Sequence, residues 1–251
     1  MARTDTLTNF LTDVAAAIKA KKGDESAIPA ANFDTEITNL PSGGSSDDLK
    51  NFIERDNNFR SFDFPNGITR IGNGVFCKCT NLVNTSLPSG ITSIGDYAFY
   101  SCTNLSLTSL PSGITSIGIY AFNACTKLSI TSLPSGITSI GNSTFANCRN
   151  LSLTSLPSGI TSIGSNGFYN CTNLSLTSLP SGITSIGGYA FGSCTRLASI
   201  TFEGTPQTIN SSAFKGCTNL TTINVPWADG EVGIAPWGAE NATINYNYTG
   251  R

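Results

Sequence analysis

Histidine is absent from this 251-residue chain. That removes the commonest general base and the commonest metal ligand. Charge is scarce as well: 12% of residues are charged and the net charge is −2, against about a quarter charged in ordinary globular domains. The densest basic run is Lys19, Lys21 and Lys22, too short to draw the chain to nucleic acid or anionic lipid. No stretch is apolar for the roughly 20 residues that a membrane helix needs. The first residues, Met1-Ala2-Arg3-Thr4-Asp5, lack the apolar run behind a basic start that marks a secretory leader. The expectation is a protein folded in a cytoplasm that, if it works outside a cell, leaves by another route such as release in a particle. Catalytic constellations are missing too. Carboxylates are scattered, so no acid/base pair is nominated. Gly72-Asn73-Gly74 lacks the strand–helix setting of a phosphate loop. The sequence therefore points away from an enzyme, and no cofactor or metal is expected.

What the chain has instead is a ruler. Cys79, Cys102, Cys125, Cys148, Cys171, Cys194 and Cys217 recur every 23 residues. A fixed period of this length signals stacked coils, each burying its apolar side on the next. Seven thiols in one phase point the same way from successive coils, so their Cβ vectors run parallel, which is poor disulfide geometry. They read as a ladder of buried, reduced thiols acting as small apolar residues. Cys77-Lys78-Cys79 is the one local pair, and alternation along an extended segment puts its side chains on opposite faces. Metal binding needs convergent ligands.

The eleven residues Thr85 to Gly95, T-S-L-P-S-G-I-T-S-I-G, recur unchanged at 108–118, 131–141, 154–164 and 177–187. A phenylalanine (Phe76, Phe99, Phe122, Phe145, Phe168, Phe191, Phe214) precedes each ladder cysteine by three. That spacing suits one short helical turn per coil with both side chains inward. The I-T-S-I-G segment reads as a short strand, and Pro-Ser-Gly as the corner that follows. Residues 1–42 differ: Leu7, Phe10, Leu11, Val14 and Ile18 follow helical spacing, and Gly23 sits where a helix stops. The predicted fold is thus a β-rich repeat solenoid with a small α-helical N-terminal head. Its parts are an attachment head (1–42), a Gly/Ser linker (43–46), the solenoid with its opening coil (47–225) and a C-terminal cap (226–251). Trp227 and Trp237, the two tryptophans, suit a cap over the open end of the core.

The repeat I-x-x-I-G-x-x-A-F-x-x-C-x-x-L, with L-P-x-G at the corner, resembles the BspA-like class of leucine-rich repeats from about Phe64 to Val225. The resemblance implies a curved leucine-rich-repeat solenoid, of a class that typically works at surfaces by binding host or microbial partners. The stretch Leu7 to Ala15 with Ala30 to Ile37, and the ending Val225-Pro226-Trp227 with Ala235 to Ala239 and Ala242 to Tyr246, look like parts of structural proteins from phage and prophage tail modules of gut Firmicutes. These flanks imply a virion protein, with residues 1–42 contacting other virion proteins or a second copy of the chain. The alternatives are a bacterial cell-surface adhesin that binds host protein, and a purely structural virion component.

Within the five near-identical coils, variation concentrates at four positions around the phenylalanine. They read Asp96, Tyr97, Tyr100, Ser101; Ile119, Tyr120, Asn123, Ala124; Asn142, Ser143, Ala146, Asn147; Ser165, Asn166, Tyr169, Asn170; and Gly188, Tyr189, Gly192, Ser193. Tyrosine with Asn and Ser is the palette of rigid recognition surfaces. The candidate binding residues are Tyr97, Tyr100, Tyr120, Asn123, Asn142, Asn147, Asn166, Tyr169, Asn170 and Tyr189. Stacking would line them into a strip about 20 Å long, suited to a bacterial surface glycan or protein. The competing reading is drift among exposed polar positions, and the Ser/Thr face of the strands is a second place to look.

Overall fold

The computed structural model describes residues 68–250. The head, the linker and the opening coil of the sequence analysis lie outside the described residues. Within them the chain forms stacked coils whose strands all pair in parallel. One side carries β1 (Arg70–Ile71), β2 (Ser93–Ile94) and β3 (Ser116–Ile117) in one sheet. The same side continues in a second sheet of β4 (Ser139–Ile140), β5 (Ser162–Ile163), β7 (Ser185–Ile186) and β9 (Thr208–Ile209). Register is set by the repeat: Ser93 pairs with Ser116, and Ser162 with Ser185. A third sheet, on another side, joins β6 (Ser178–Leu179), β8 (Ser199–Phe202), β10 (Thr222–Asn224) and β11 (Thr243–Asn245).

These strands are short because each coil turns a corner soon after I-T-S-I-G. Alternation does the rest. Ile94 and Ile117 point inward and are buried, while Ser116 faces out. One coil buries Ile114, Ile117, Ala121, Phe122, Cys125, Leu128, Ile130 and Leu133. No coil has a second layer of its own, so this apolar set is covered by the coils above and below.

Two ladders run through the core. The phenylalanines stack nearly face to face from Phe76 to Phe214, with centroid spacings of 5.1 to 5.7 Å. Phe122 and Phe145, for example, lie 5.6 Å apart at 3°. The second ladder is the cysteines. All eight remain thiols, and the seven in phase are buried. Each of six thiols donates to the phenylalanine carbonyl of the preceding coil, as Cys125 Sγ does to Phe99 O at 3.0 Å and Cys148 Sγ to Phe122 O at 3.0 Å. The sequence reading treated these residues as small apolar fillers. They are also donors, each a second donor to a phenylalanine carbonyl that already accepts the cysteine N–H three residues on. Burial pushes these thiols up from their ordinary pKa, Cys217 to about 12. Their thiolate fraction at neutral pH is therefore negligible. In native protein, a thiol-exchange reagent is expected to label half-buried Cys77 alone, and all eight cysteines after denaturation. Rapid native labelling of two or more thiols would contradict this burial.

The single helical turn expected at each phenylalanine does not form. The segment from Gly95 to Cys102 is a run of turns: Ala98 N–H, Tyr100 N–H and Cys102 N–H each bond to the carbonyl three residues back. The intervening N–H groups of Tyr97, Phe99 and Ser101 bond outward to Ile119, Ala121 and Asn123 of the next coil. A helix would need those N–H groups for itself, and it would need negative φ throughout. Tyr97 (φ 55°) and Ser101 (φ 57°) are left-handed instead.

At the C-terminal end, Trp227 and Trp237 are both buried. Their rings lie 6.2 Å apart, and Phe202 meets Trp227 edge-on at 5.2 Å. Trp237 Nε1–H donates to Val232 O at 3.1 Å, and Trp237 O accepts from Phe214 N–H at 3.0 Å. The rings thus close the end of the phenylalanine stack while their polar groups stay satisfied.

Candidate binding surface

The ten candidate residues sit on the turn side of coils that the hydrogen bonds above join to one another. The residue two before each of the first six phenylalanines is left-handed: Gly74, Tyr97, Tyr120, Ser143, Asn166 and Tyr189 all have φ between 53° and 64°. Glycine adopts this conformation without penalty, and asparagine tolerates it. Tyrosine does not, at about 1–2 kcal/mol per residue. Three of these positions nevertheless carry tyrosine. Tyr97 is 40% exposed and Tyr189 39% exposed, so burial of the ring offsets that cost only in part.

The rings gather into two clusters. Tyr97 and Tyr120, from adjacent coils, stack 4.8 Å apart at 5°. Tyr100 leans against both, at 5.8 and 6.4 Å. Further along, Tyr169 meets Tyr189 edge-on at 6.4 Å, and Lys215 Nζ lies 6.0 Å from the Tyr189 ring centroid. Gly192 makes room for this second cluster. A Cβ there would come within 2.9 Å of Tyr169 Cδ2 and 3.1 Å of Tyr189 Cδ1. The intervening coil, with Asn142, Ser143, Ala146 and Asn147, has no ring at these positions.

The asparagines divide differently. Asn142 Oδ1 accepts from Ser165 N–H at 2.9 Å, as Asn73 does from Asp96 N–H and Asp96 from Ile119 N–H. Asn147 Oδ1 accepts from Asn170 Nδ2 at 2.9 Å. These side chains bond coil to coil, and variation at the first of the four positions is not simply freedom. The recurrence of Asn or Asp at 73, 96 and 142 was the available signal. Asn123 and Asn166 stay half-buried on the strip.

Asn142 also lines an open groove of about 620 Å³ on the strand side. Ile119, Ser139, Ser162, Ser185, Thr208 and Asn210 share that groove, and none of its lining residues is charged. The Ser/Thr face and the variable strip are therefore neighbours that meet at Ile119, Asn142, Ser165 and Gly188, with the tyrosines outside the groove.

The profile of the BspA type leucine rich repeat region matches residues 50–175 and 127–232. Among solved structures, a leucine rich repeat protein from T. pallidum is 30% identical with a TM-score of 0.56, over 64% of this chain and 78% of that one. A leucine-rich repeat protein from Bacteroides ovatus is 25% identical with a TM-score of 0.51, over 73% of this chain and 54% of that one. This chain thus spans about half of the Bacteroides protein. No curated protein matches it. The phased isoleucines, phenylalanines and cysteines, the parallel coils they build and the repeat profile agree: the chain belongs to the BspA-type leucine-rich repeat family.

Proposed function

We propose that the solenoid is a non-catalytic recognition module whose tyrosine clusters bind a glycan or protein on a bacterial surface. The supporting observation is the backbone under the rings. Tyr97, Tyr120 and Tyr189 occupy left-handed positions where the same repeat elsewhere uses the small residues Gly74, Ser143 or Asn166. Stability alone favours glycine or asparagine there, and half-exposed rings return little burial. Sugar rings stack on exposed tyrosine faces, and the Asn and Ser around them supply hydrogen bonds.

In this reading residues 1–42 attach the solenoid to a phage virion, and the target is the host bacterium. The flanking sequences support that setting. The cell-surface adhesin remains the second reading, favoured by the bacterial origin of the similar repeat proteins from T. pallidum and Bacteroides ovatus. Deleting residues 1–45 separates the two: in a virion protein it abolishes incorporation into particles, and unchanged incorporation would refute attachment through the head.

The strip is tested on a bacterial glycan array with the full chain, beside a variant carrying Tyr97→Asn, Tyr120→Asn and Tyr189→Asn. Asparagine suits the left-handed backbone, so the variant is expected to keep the parent Tm within a few degrees, the lost ring stacking and the relieved strain each being about 1 kcal/mol per site. Its binding is expected to fall at least tenfold, from the loss of about 1.4 kcal/mol or more. Equal binding by parent and variant removes the tyrosines from the function.

A further inference from the structure

The strand side of the array is interrupted at one place among the described residues, between β3 and β4. In the neighbouring coils three bonds recur. Thr115 N–H donates to Thr92 O, Gly118 N–H to Ile94 O, and Ile119 N–H to the Asp96 carboxylate. One coil later their counterparts would be Thr138 to Thr115, Gly141 to Ile117, and Asn142 to residue 119, and all three are missing. The threonine hydroxyl bond, present from Thr115 to Thr92 and from Thr161 to Thr138, is missing there as well. On the turn side the same two coils stay joined. Tyr120 N–H bonds to Asn142 O, Phe122 N–H to Thr144 O, and the buried Thr144 hydroxyl reaches Gly118 O at 3.1 Å.

The cause lies at position 119. Equivalent residues are Asn73, Asp96, Asn142, Ser165 and Gly188, and Ile119 is the one β-branched apolar side chain among them. Loss of the acceptor is not sufficient, because the ladder continues past Ser165 and Gly188, where no such side-chain bond forms: Gly187 N–H still reaches Ile163 O, and Asn210 N–H reaches Ile186 O. Bulk is the difference. A Cβ on Gly164 or Gly187 would lie 2.8 or 2.5 Å from backbone nitrogen of the preceding coil, so those coils are in close contact. At Gly141 the nearest neighbours are Ile119 Cγ2 at 3.1 Å and Thr144 Oγ1, with Ile119 Cα at 3.6 Å. The branched side chain stands where backbone would otherwise approach.

We propose that this seam is a hinge, held on its turn side by Thr144 and opened on its strand side by Ile119. It falls between the two aromatic clusters: Tyr97, Tyr100 and Tyr120 lie before it, and Tyr169 and Tyr189 after it. Because the pivot lies on the turn side, opening at the seam tilts the two clusters relative to each other and widens the mouth of the groove that begins at Ile119, so one array can fit surfaces of differing curvature. The hinge stands on backbone geometry and is independent of what the tyrosines bind.

Residue-resolved amide hydrogen exchange on the full chain tests it without a ligand. Thr138, Gly141 and Asn142 are expected to exchange at least tenfold faster than Thr115, Gly118 and Ile119 one coil earlier. Ile119→Ser, which copies position 165, is expected to slow Thr138 and Gly141 to the rate of their neighbours, and Ile119→Asn, which copies position 142, to slow Asn142 as well. Equal protection across both coils in the parent would overturn the hinge. Seam amides that stay fast in both variants would overturn the assignment to Ile119.

Discussion

Raising the pH from about 8 to about 10 is expected to unfold the solenoid, although it has few ionised groups to titrate. Six ladder thiols, from Cys102 to Cys217, are held above their ordinary pKa, mainly by desolvation. In the unfolded chain they ionise near 8.5. Because the folded pKa is the higher one, the folded state keeps its protons over the interval where the unfolded state loses them. The stabilisation is whole below about 8.5 and is lost as pH climbs toward the folded values. Each thiol takes away about 1.4 kcal/mol per pH unit in that interval, and the six together about 8 kcal/mol per unit. From about 8.5 to 10 that is about 12 kcal/mol, comparable with the whole 5–15 kcal/mol of an ordinary domain. Circular dichroism melts from about pH 7 to 10.5, with reductant present, check this. The expected result is a flat Tm that collapses above about pH 9, with a shallower fall when Cys148→Ala removes one thiol. A Tm independent of pH to 10.5 would mean that the thiols are not buried in this way.

The second large effect separates two glycines that the sequence presents as equals. Every regular coil has one glycine in Pro-Ser-Gly and one in Ser-Ile-Gly. At Gly187 an added Cβ would sit 2.5 Å from Ser165 N and 2.8 Å from Gly164 C, both backbone atoms that cannot swing away. Gly187→Ala therefore has to separate two coils, and with them the Gly187 to Ile163 hydrogen bond. The expected loss is about 3–5 kcal/mol, at the upper end for single substitutions. At Gly159 the nearest atoms to an added Cβ are carbonyl oxygens 3.9 Å away, ordinary contact, and φ lies outside the left-handed range. Gly159→Ala is expected to be neutral or to stabilise by up to about 1 kcal/mol, through the unfolded chain. Urea denaturation of the two variants decides it. Similar midpoints for both would refute the close approach of coils at Ser-Ile-Gly.

Much of this architecture was legible in the chain. The 23-residue spacing of Cys79 to Cys217 imposed a stack, since no single coil holds enough apolar surface to fold alone. The phase of Ile94, Phe99, Cys102 and Leu105 identified the inward side. The tyrosines also stood out, because repeats that are otherwise identical act as their own controls. The turn after Gly95 differs from the helical turn that the spacing predicts, for a physical reason. Phe99 and Cys102 at i and i+3 fit a helical turn and a run of β-turns equally well. The choice between them belongs to Tyr97, Phe99 and Ser101, whose N–H groups bond to the next coil.

The sequence by itself determined that the chain stacks, which residues face inward and that histidine-based chemistry is absent. All three follow from composition and period, which need no knowledge of distance. Only the tertiary structure decided what depends on how closely neighbouring coils approach. It showed the thiols donating to Phe carbonyls, Gly187 crowded by the backbone of the preceding coil and Gly159 with room to spare, and the tyrosines in two clusters rather than one strip. It also placed an isoleucine, Ile119, at the break between two sheets. Residues 23 apart carry no record of their separation in the chain, and a difference of about one ångström between coils makes or breaks a hydrogen bond.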